Sequence, residues 1–193
     1  MTEIFKNNIS QHITLSEDES AQFYSLFQKK IIKKRQFLLR EGEIFKFEGF
    51  EIKELLKPFN IDSDGIEQIL NFATEDWWIT DIDSFTNELP SQLNIEALED
   101  SEVLIISKKD KEFAYKNLPK IEKLFRVMTQ KTHVALQRRM IDNLSKTADK
   151  RYTDFIEKYP QLYQRLTNVQ IAAYLGISHE FVSRIRKKIV NKK

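Results

Sequence analysis

The sequence predicts an α+β fold in which an N-terminal β-roll is followed by one long helix and a C-terminal helix-turn-helix. Three observations on its 193 residues predict this: short apolar-alternating pieces between positions 37 and 107, a stretch free of proline and glycine between Pro119 and Pro160, and two capped helical segments that meet at Gly176. The corresponding blocks are residues 1–116, 117–144 and 145–193.

In the first block, Ser16-Glu17-Asp18-Glu19 has the form of a capping box, and Phe23, Leu26 and Phe27 after it suit a short amphipathic helix. Phe45-Lys46-Phe47 and Phe50-Glu51-Ile52 flank Gly49 as short strands. Ile61-Asp62-Ser63-Asp64-Gly65-Ile66 supplies a turn before a strand at 67–72, and residues 94–98 and 103–106 add two more. Eleven of the 14 Phe lie in residues 1–116, which places the main core there. Trp77 and Trp78 are adjacent, so on a strand they point to opposite sides. One would line the inner cavity and the other would meet the long helix; a ligand platform is the alternative to plain core packing.

After Pro119, apolar residues Ile121, Leu124, Phe125, Met128, Ala135, Leu136, Met140 and Leu144 recur at helical spacing. About 26 residues at 1.5 Å each give a rod of roughly 39 Å. Its apolar stripe would pack on the roll, on a second copy of the chain, or on both. A junction at Leu144-Ser145-Lys146-Thr147 leads to a short helix with Tyr152, Phe155, Ile156 and Tyr159 on one side, ended by Pro160.

Charge is distributed unevenly among the blocks. Residues 1–116 hold 14 Lys and Arg against 23 Asp and Glu, residues 117–144 hold 6 against 2, and residues 145–193 hold 11 against 4, so the net +2 hides a basic C-terminal third. Such asymmetry is expected of a C-terminal module that meets a polyanion. With no cysteine, disulfides, iron–sulfur clusters and thiolate zinc sites are excluded, and His12, His133 and His179 are too scattered for a metal site. A glycine-rich phosphate loop, a nucleophile elbow and a His–Glu metal pair are all missing, so neither an enzyme nor a bound cofactor is expected. No apolar run approaches the roughly 18–20 residues of a membrane span, and the first residues lack a secretory pattern. The cytoplasm is the expected location.

Residues 167–188 carry the most information. Thr167 and Gln170 form a capping box for a first helix, Gly176 supplies a left-handed turn, and Ser178 caps a second helix. Ile171, Leu175, Ile177, Val182 and Ile185 fall where two crossed helices must touch, and Ala172 permits their close approach. In such a unit the second helix enters the major groove. Candidate DNA contacts are Thr167, Ser178, His179, Glu180, Ser183, Arg184, Lys187 and Lys188. Arg184 suits bidentate recognition of guanine. Glu180 either accepts from a cytosine amino group or merely orients Arg184 four residues on. Phe181 is either core or a thymine-methyl contact. The terminal residues 184–193 carry six basic residues and no acid, which suits phosphate contacts.

Ser178-His179-Glu180-Phe181-Val182-Ser183-Arg184 resembles the Glu-x-x-Ser-Arg recognition signature of the catabolite activator/FNR (Crp/Fnr) superfamily of bacterial transcription regulators. Leu39-Arg40-Glu41-Gly42-Glu43, Ala97-Leu98-Glu99-Asp100-Ser101 and Leu144-Ser145-Lys146 support the resemblance, which covers nearly the whole chain. It implies a cyclic-nucleotide-binding-like roll, a dimerisation helix and a winged-helix-like reader, acting as a homodimer on double-stranded DNA with RNA polymerase as a possible partner. The seam is expected on Ile121, Leu124, Phe125, Met128, Thr132 and Ala135.

The chain departs from that pattern at the ligand cassette. The family's phosphate-gripping Arg-Ser pair corresponds to Ser91-Gln92, with Asp81 near its ribose-binding Glu. Residues 58–107 contain 12 Asp and Glu and no Lys, Arg or His, so cyclic AMP is not an expected ligand and the effector is unknown. The wing is reduced to about the eight residues 160–167. An alternative reading is a ligand-sensing or protein-interaction module whose helix-turn-helix meets a protein partner; the basic C-terminal block argues against it.

Overall fold

The computed structural model describes residues 1–190, with side chains described through Lys187. Lys188, as a side chain, and the tail 191–193 lie outside the described residues. The chain forms two compact units, and the division cuts across chain order: Met1–Phe59 and Phe72–Lys131 make the first, while Asn60–Asn71 joins the chain from Thr132 onward in the second.

Helices α1 (Glu3–Ser10) and α2 (Glu17–Ser25) lead into the roll. The α2 capping box forms as predicted: the Ser16 hydroxyl accepts the Glu19 N–H at 3.2 Å, and the Glu19 carboxylate accepts the Ser16 N–H at 2.7 Å. There follow β1 (Gln28–Ile32), β2 (Phe37–Leu39), β3 (Phe47–Lys53), β4 (Leu56–Ile61), β5 (Glu67–Ile69), β6 (Trp77–Ile79), α3 (Ile82–Asn87), β7 (Asn94–Ala97), β8 (Ser101–Ser107) and α4 (Lys108–Asn117). The strands build two four-stranded sheets, ordered β1-β8-β3-β6 and β2-β7-β4-β5.

Gly49 does not separate two strands. It lies inside β3, paired with Ile79 on one side and Ile105 on the other. A Cβ there would sit 2.8 Å from both Ile79 Cγ2 and Val103 Cγ1, so the glycine permits close packing within the strand. The Trp pair does split as alternation requires, with a different outcome for Trp77. Trp78 sits in the aromatic core, its ring 5.3 Å from those of Phe50 and Phe125, and its Nε1–H donates to Asn8 Oδ1 at 3.0 Å. Trp77 is 41% exposed.

The long helix α5 (Pro119–Ser145) starts at its proline, where a missing N–H costs no bond. Ile121, Leu124 and Phe125 are buried with Phe5, Phe23, Phe50, Leu104 and Ile106 in the first unit's core. These three residues of the expected dimer seam are therefore consumed within the chain, and Met128 packs against the same cluster. Periodicity shows that a face is buried without saying against what. Thr132 and Ala135 are exposed.

The second unit contains the β4–β5 turn, the rest of α5, and α6 (Ala148–Lys158), α7 (Pro160–Arg165), α8 (Asn168–Leu175) and α9 (His179–Val190). At the turn, Gly65 takes φ +77°, and Asp62 Oδ1 accepts the N–H groups of Asp64 and Ile66 at 3.0 and 2.9 Å. Pro160 ends α6 and also opens α7, so most of the segment expected to hold a shortened wing is a helix.

Candidate nucleic-acid interface

The C-terminal helix-turn-helix is assembled from local signals. The Thr167 hydroxyl accepts the Gln170 N–H at 3.2 Å and Gln170 Oε1 accepts the Thr167 N–H at 2.8 Å, which fixes where α8 starts. Gly176 ends α8 at φ +63°, a conformation that disfavours side chains. Ser178 then caps α9, its hydroxyl accepting the Phe181 N–H at 3.3 Å. Ile171, Ala172, Leu175, Val182 and Ile185 are buried, as are Tyr152, Phe155 and Leu162 of the surrounding helices and Leu166 just after α7. The two helices therefore cross over an apolar contact that leaves the opposite side of α9 to solvent.

That side carries the predicted residues. His179, Glu180, Arg184 and Lys187 are exposed and Ser183 is half-buried. His179 Nε2 lies 3.1 Å from Glu180 Oε1, and the Ser183 hydroxyl donates to the His179 carbonyl at 3.0 Å. The Arg184 guanidinium lies 5.1 Å from the half-buried Phe181 ring. The Glu180 carboxyl is held below its usual range, first by its own backbone N–H and the Ser178 hydroxyl, then by the charges of His179 and Arg184. It stays ionised at neutral pH, an acceptor at the start of the helix. The Thr167 and Ser178 side chains both make helix caps, so in the free protein each is engaged with the backbone.

Three arginines not singled out from sequence organise this unit. Arg186 donates to Asn168 Oδ1 at 2.5 Å and lies over the Tyr163 ring, tying α9 to the start of α8 and to α7. Arg139 of α5 donates to the carbonyls of Ile69 and Tyr174 at 3.0 and 2.8 Å and stacks on the Tyr174 ring at 4.2 Å. Arg151 donates to the carbonyls of Lys146 and Leu175 at 3.0 and 3.2 Å. Arg139 and Arg151 line a cavity of about 450 Å³ beside Gly176. Main-chain carbonyls leave no signature in a sequence, so these partners were not readable. At the α5–α6 junction, Lys146 bridges Asp142 and Asp154 at 2.9 and 2.8 Å.

In the first unit the expected ligand cassette is closed upon itself. Asp81 caps α3 by accepting the Ser84 N–H at 3.3 Å, and its other oxygen accepts the Ser91 hydroxyl at 2.5 Å. Ser84 in turn donates to the Leu89 carbonyl and accepts the Phe45 N–H. Gln92 is exposed beside this network. Two largely buried lysines of the unit are paired with acids, Lys57 with Glu96 at 3.1 Å and Lys111 with Glu48 at 2.6 Å. Among the described residues no three His, Cys, Asp or Glu side chains gather as a metal site, and no helix is long and apolar enough to cross a membrane.

Two antiparallel sheets, a long helix and a capped C-terminal helix-turn-helix make a fold similar to that of solved structures of transcription regulators, one of them described as of the crp/fnr family. Among solved structures, the c-di-GMP responsive global regulator CLP of Xanthomonas campestris superposes with a TM-score of 0.76 at 14% identity, over 92% of this chain and 93% of its own. FixK2 of Bradyrhizobium japonicum gives 0.74 at 20% identity, over 86% and 85%. A crp/fnr-family protein of Eubacterium rectale gives 0.71 at 15%, over 92% and 85%. No protein-family model and no curated protein sequence matches the chain.

Proposed function

We propose that this chain is a homodimeric, sequence-specific DNA-binding transcription regulator whose roll does not bind cyclic AMP. The observation that carries the reading is the exposed side of α9. His179, Glu180, Ser183, Arg184 and Lys187 share it, on a helix whose other side is fixed by Val182 and Ile185. In this arrangement Arg184 and Glu180 read base edges, while Lys187 and the basic residues after it hold phosphates.

The dimer forms along a different face of α5 from the one that Ile121, Leu124 and Phe125 bury. At about 100° per residue, Leu136, Met140 and Leu144 form a row four residues apart, with Val134 and Ile141 beside it. All five are exposed, Leu144 by 79%. Gln137 and His133 fill the same arc, so it contains no permanently charged side chain from 133 to 144. A second copy is the fitting occupant, because an apolar helix face packs on its own two-fold image and two readers then face an inverted repeat.

The case against cyclic AMP rests on Asp81 and Ser91, which are spent on each other, and on the absence of any cation in residues 58–107. Binding of a mixed-sequence duplex, followed across salt concentration, tests DNA recognition. The logarithm of affinity is expected to fall linearly with log salt at a slope of about −0.9 for each phosphate contact. Absent or salt-insensitive binding contradicts the reading.

A further inference from the structure

We infer that the cavity beside Gly176 is a binding site for a small organic acid, a carboxylate or a phosphate monoester carried on an apolar body. Its walls come from β5 and the residue after it, from α5 and α6, and from the end of α8, all within the second unit. It is separate from Asp81 and Ser91, which belong to the first unit and are bonded to each other. Arg139 and Arg151 line the cavity, and among the described residues no Asp or Glu does.

Arginine keeps its charge in a protein, so withdrawing one from water requires an anion or a full set of acceptors. The largely buried cations of the first unit meet this requirement with carboxylates, Lys57 with Glu96 at 3.1 Å and Lys111 with Glu48 at 2.6 Å. The two arginines of the cavity do not. Arg139 spends Nη2 on the carbonyls of Ile69 and Tyr174, which leaves the N–H groups of Nη1 and Nε without an acceptor among the described residues. Arg151 donates to the carbonyls of Asn143, Lys146 and Leu175, and its buried Nε has no partner. Burial lowers the pKa of Arg139, and the groups that oppose the shift are Tyr174 and Tyr159, neither of them a carboxylate. The acids at this end of α5 and on α6 are already engaged, since Lys146 holds both Asp142 and Asp154.

The lining sets the chemistry of the occupant. Carboxylate and phosphate oxygens accept paired N–H groups from a guanidinium fork, and two forks on one cavity favour an oxyanion over a halide. The rest of the wall includes Ile69, Leu70 and Ala173, which suit an apolar body and offer nothing to a bare ion. A volume of about 450 Å³ lies within the roughly 300–1,000 Å³ of small-molecule sites.

Isothermal titration of the full chain with phenyl phosphate, benzoate and neutral benzamide tests the site. At least one acid is expected to bind once per chain, about tenfold or more tighter than benzamide, and the tighter of the two identifies the headgroup. R139Q is expected to weaken that acid by about tenfold or more, and A173L, which narrows the cavity and keeps both arginines, to weaken it several-fold. Thermal melts establish that each variant is folded. Failure of both acids to bind wild type, or benzamide binding as tightly as they do, overturns the inference. So does an affinity unchanged in R139Q, or in A173L where R139Q does not fold. Each of these results leaves DNA recognition by α9 standing.

Discussion

Gly49 shows how a single hydrogen atom sets the packing of the roll. With two side-chain methyls 2.8 Å from the place of a Cβ, Gly49→Ala is expected to destabilise the protein by about 1–3 kcal/mol, measured by chemical denaturation. On the proposed DNA-reading side of α9, residue chemistry is expected to separate specificity from affinity. Arg184→Ala is expected to lose about 1–3 kcal/mol of discrimination between a bound site and its variants while bulk duplex binding persists. Lys187→Ala should instead weaken all duplexes alike and reduce the salt slope by about one. Competition binding with matched and mismatched duplexes distinguishes the two, and unchanged discrimination in Arg184→Ala contradicts the readout assigned to it. Residue types with a fixed local task were legible in the sequence: Ser16, Thr167 and Ser178 all cap the helices expected of them. Arg139, Arg151 and Arg186 were not, because the spacing of arginines says nothing about which distant oxygens they meet.

At the scale of elements, the helix-turn-helix was legible almost throughout, since its start, turn and restart are each coded within four residues. Its turn can be tested independently of packing. A Cβ at Gly176 meets nothing within 4 Å, so Gly176→Ala carries only the conformational cost of φ +63°. A loss of about 1 kcal/mol in thermal or chemical stability is expected, with DNA discrimination retained. A much larger loss contradicts this account of the turn. The long helix was legible as an element, while which surface its apolar stripe meets was left open between the roll and a second copy. Its first apolar positions match a seam and a core face equally well, and tertiary packing decided for Ile121, Leu124 and Phe125. The expected wing was likewise a guess from segment length, and Pro160 instead supplied the first turn of α7.

For the whole molecule, the account requires two copies to present two recognition helices. The exposed row on α5 makes this testable by one substitution, Leu144→Asp, at a position 79% exposed and so not needed for the fold of one chain. Sedimentation is expected to show a folded monomer that has lost preference for an inverted repeat and retains salt-sensitive bulk binding. A variant that sediments as the wild type removes Leu144 from the seam. The Asp81–Ser91 pair bears on the same scale: under the proposed function, a roll that ties these two side chains together is expected to need no cyclic AMP for DNA binding. The most direct test of the central claim is therefore selection of bound duplexes from a random pool by the purified protein, near physiological salt and with no effector added. The account predicts enrichment of an inverted repeat whose half-sites lie about 34 Å apart, one helical turn of DNA. Binding without enrichment of any sequence would contradict it.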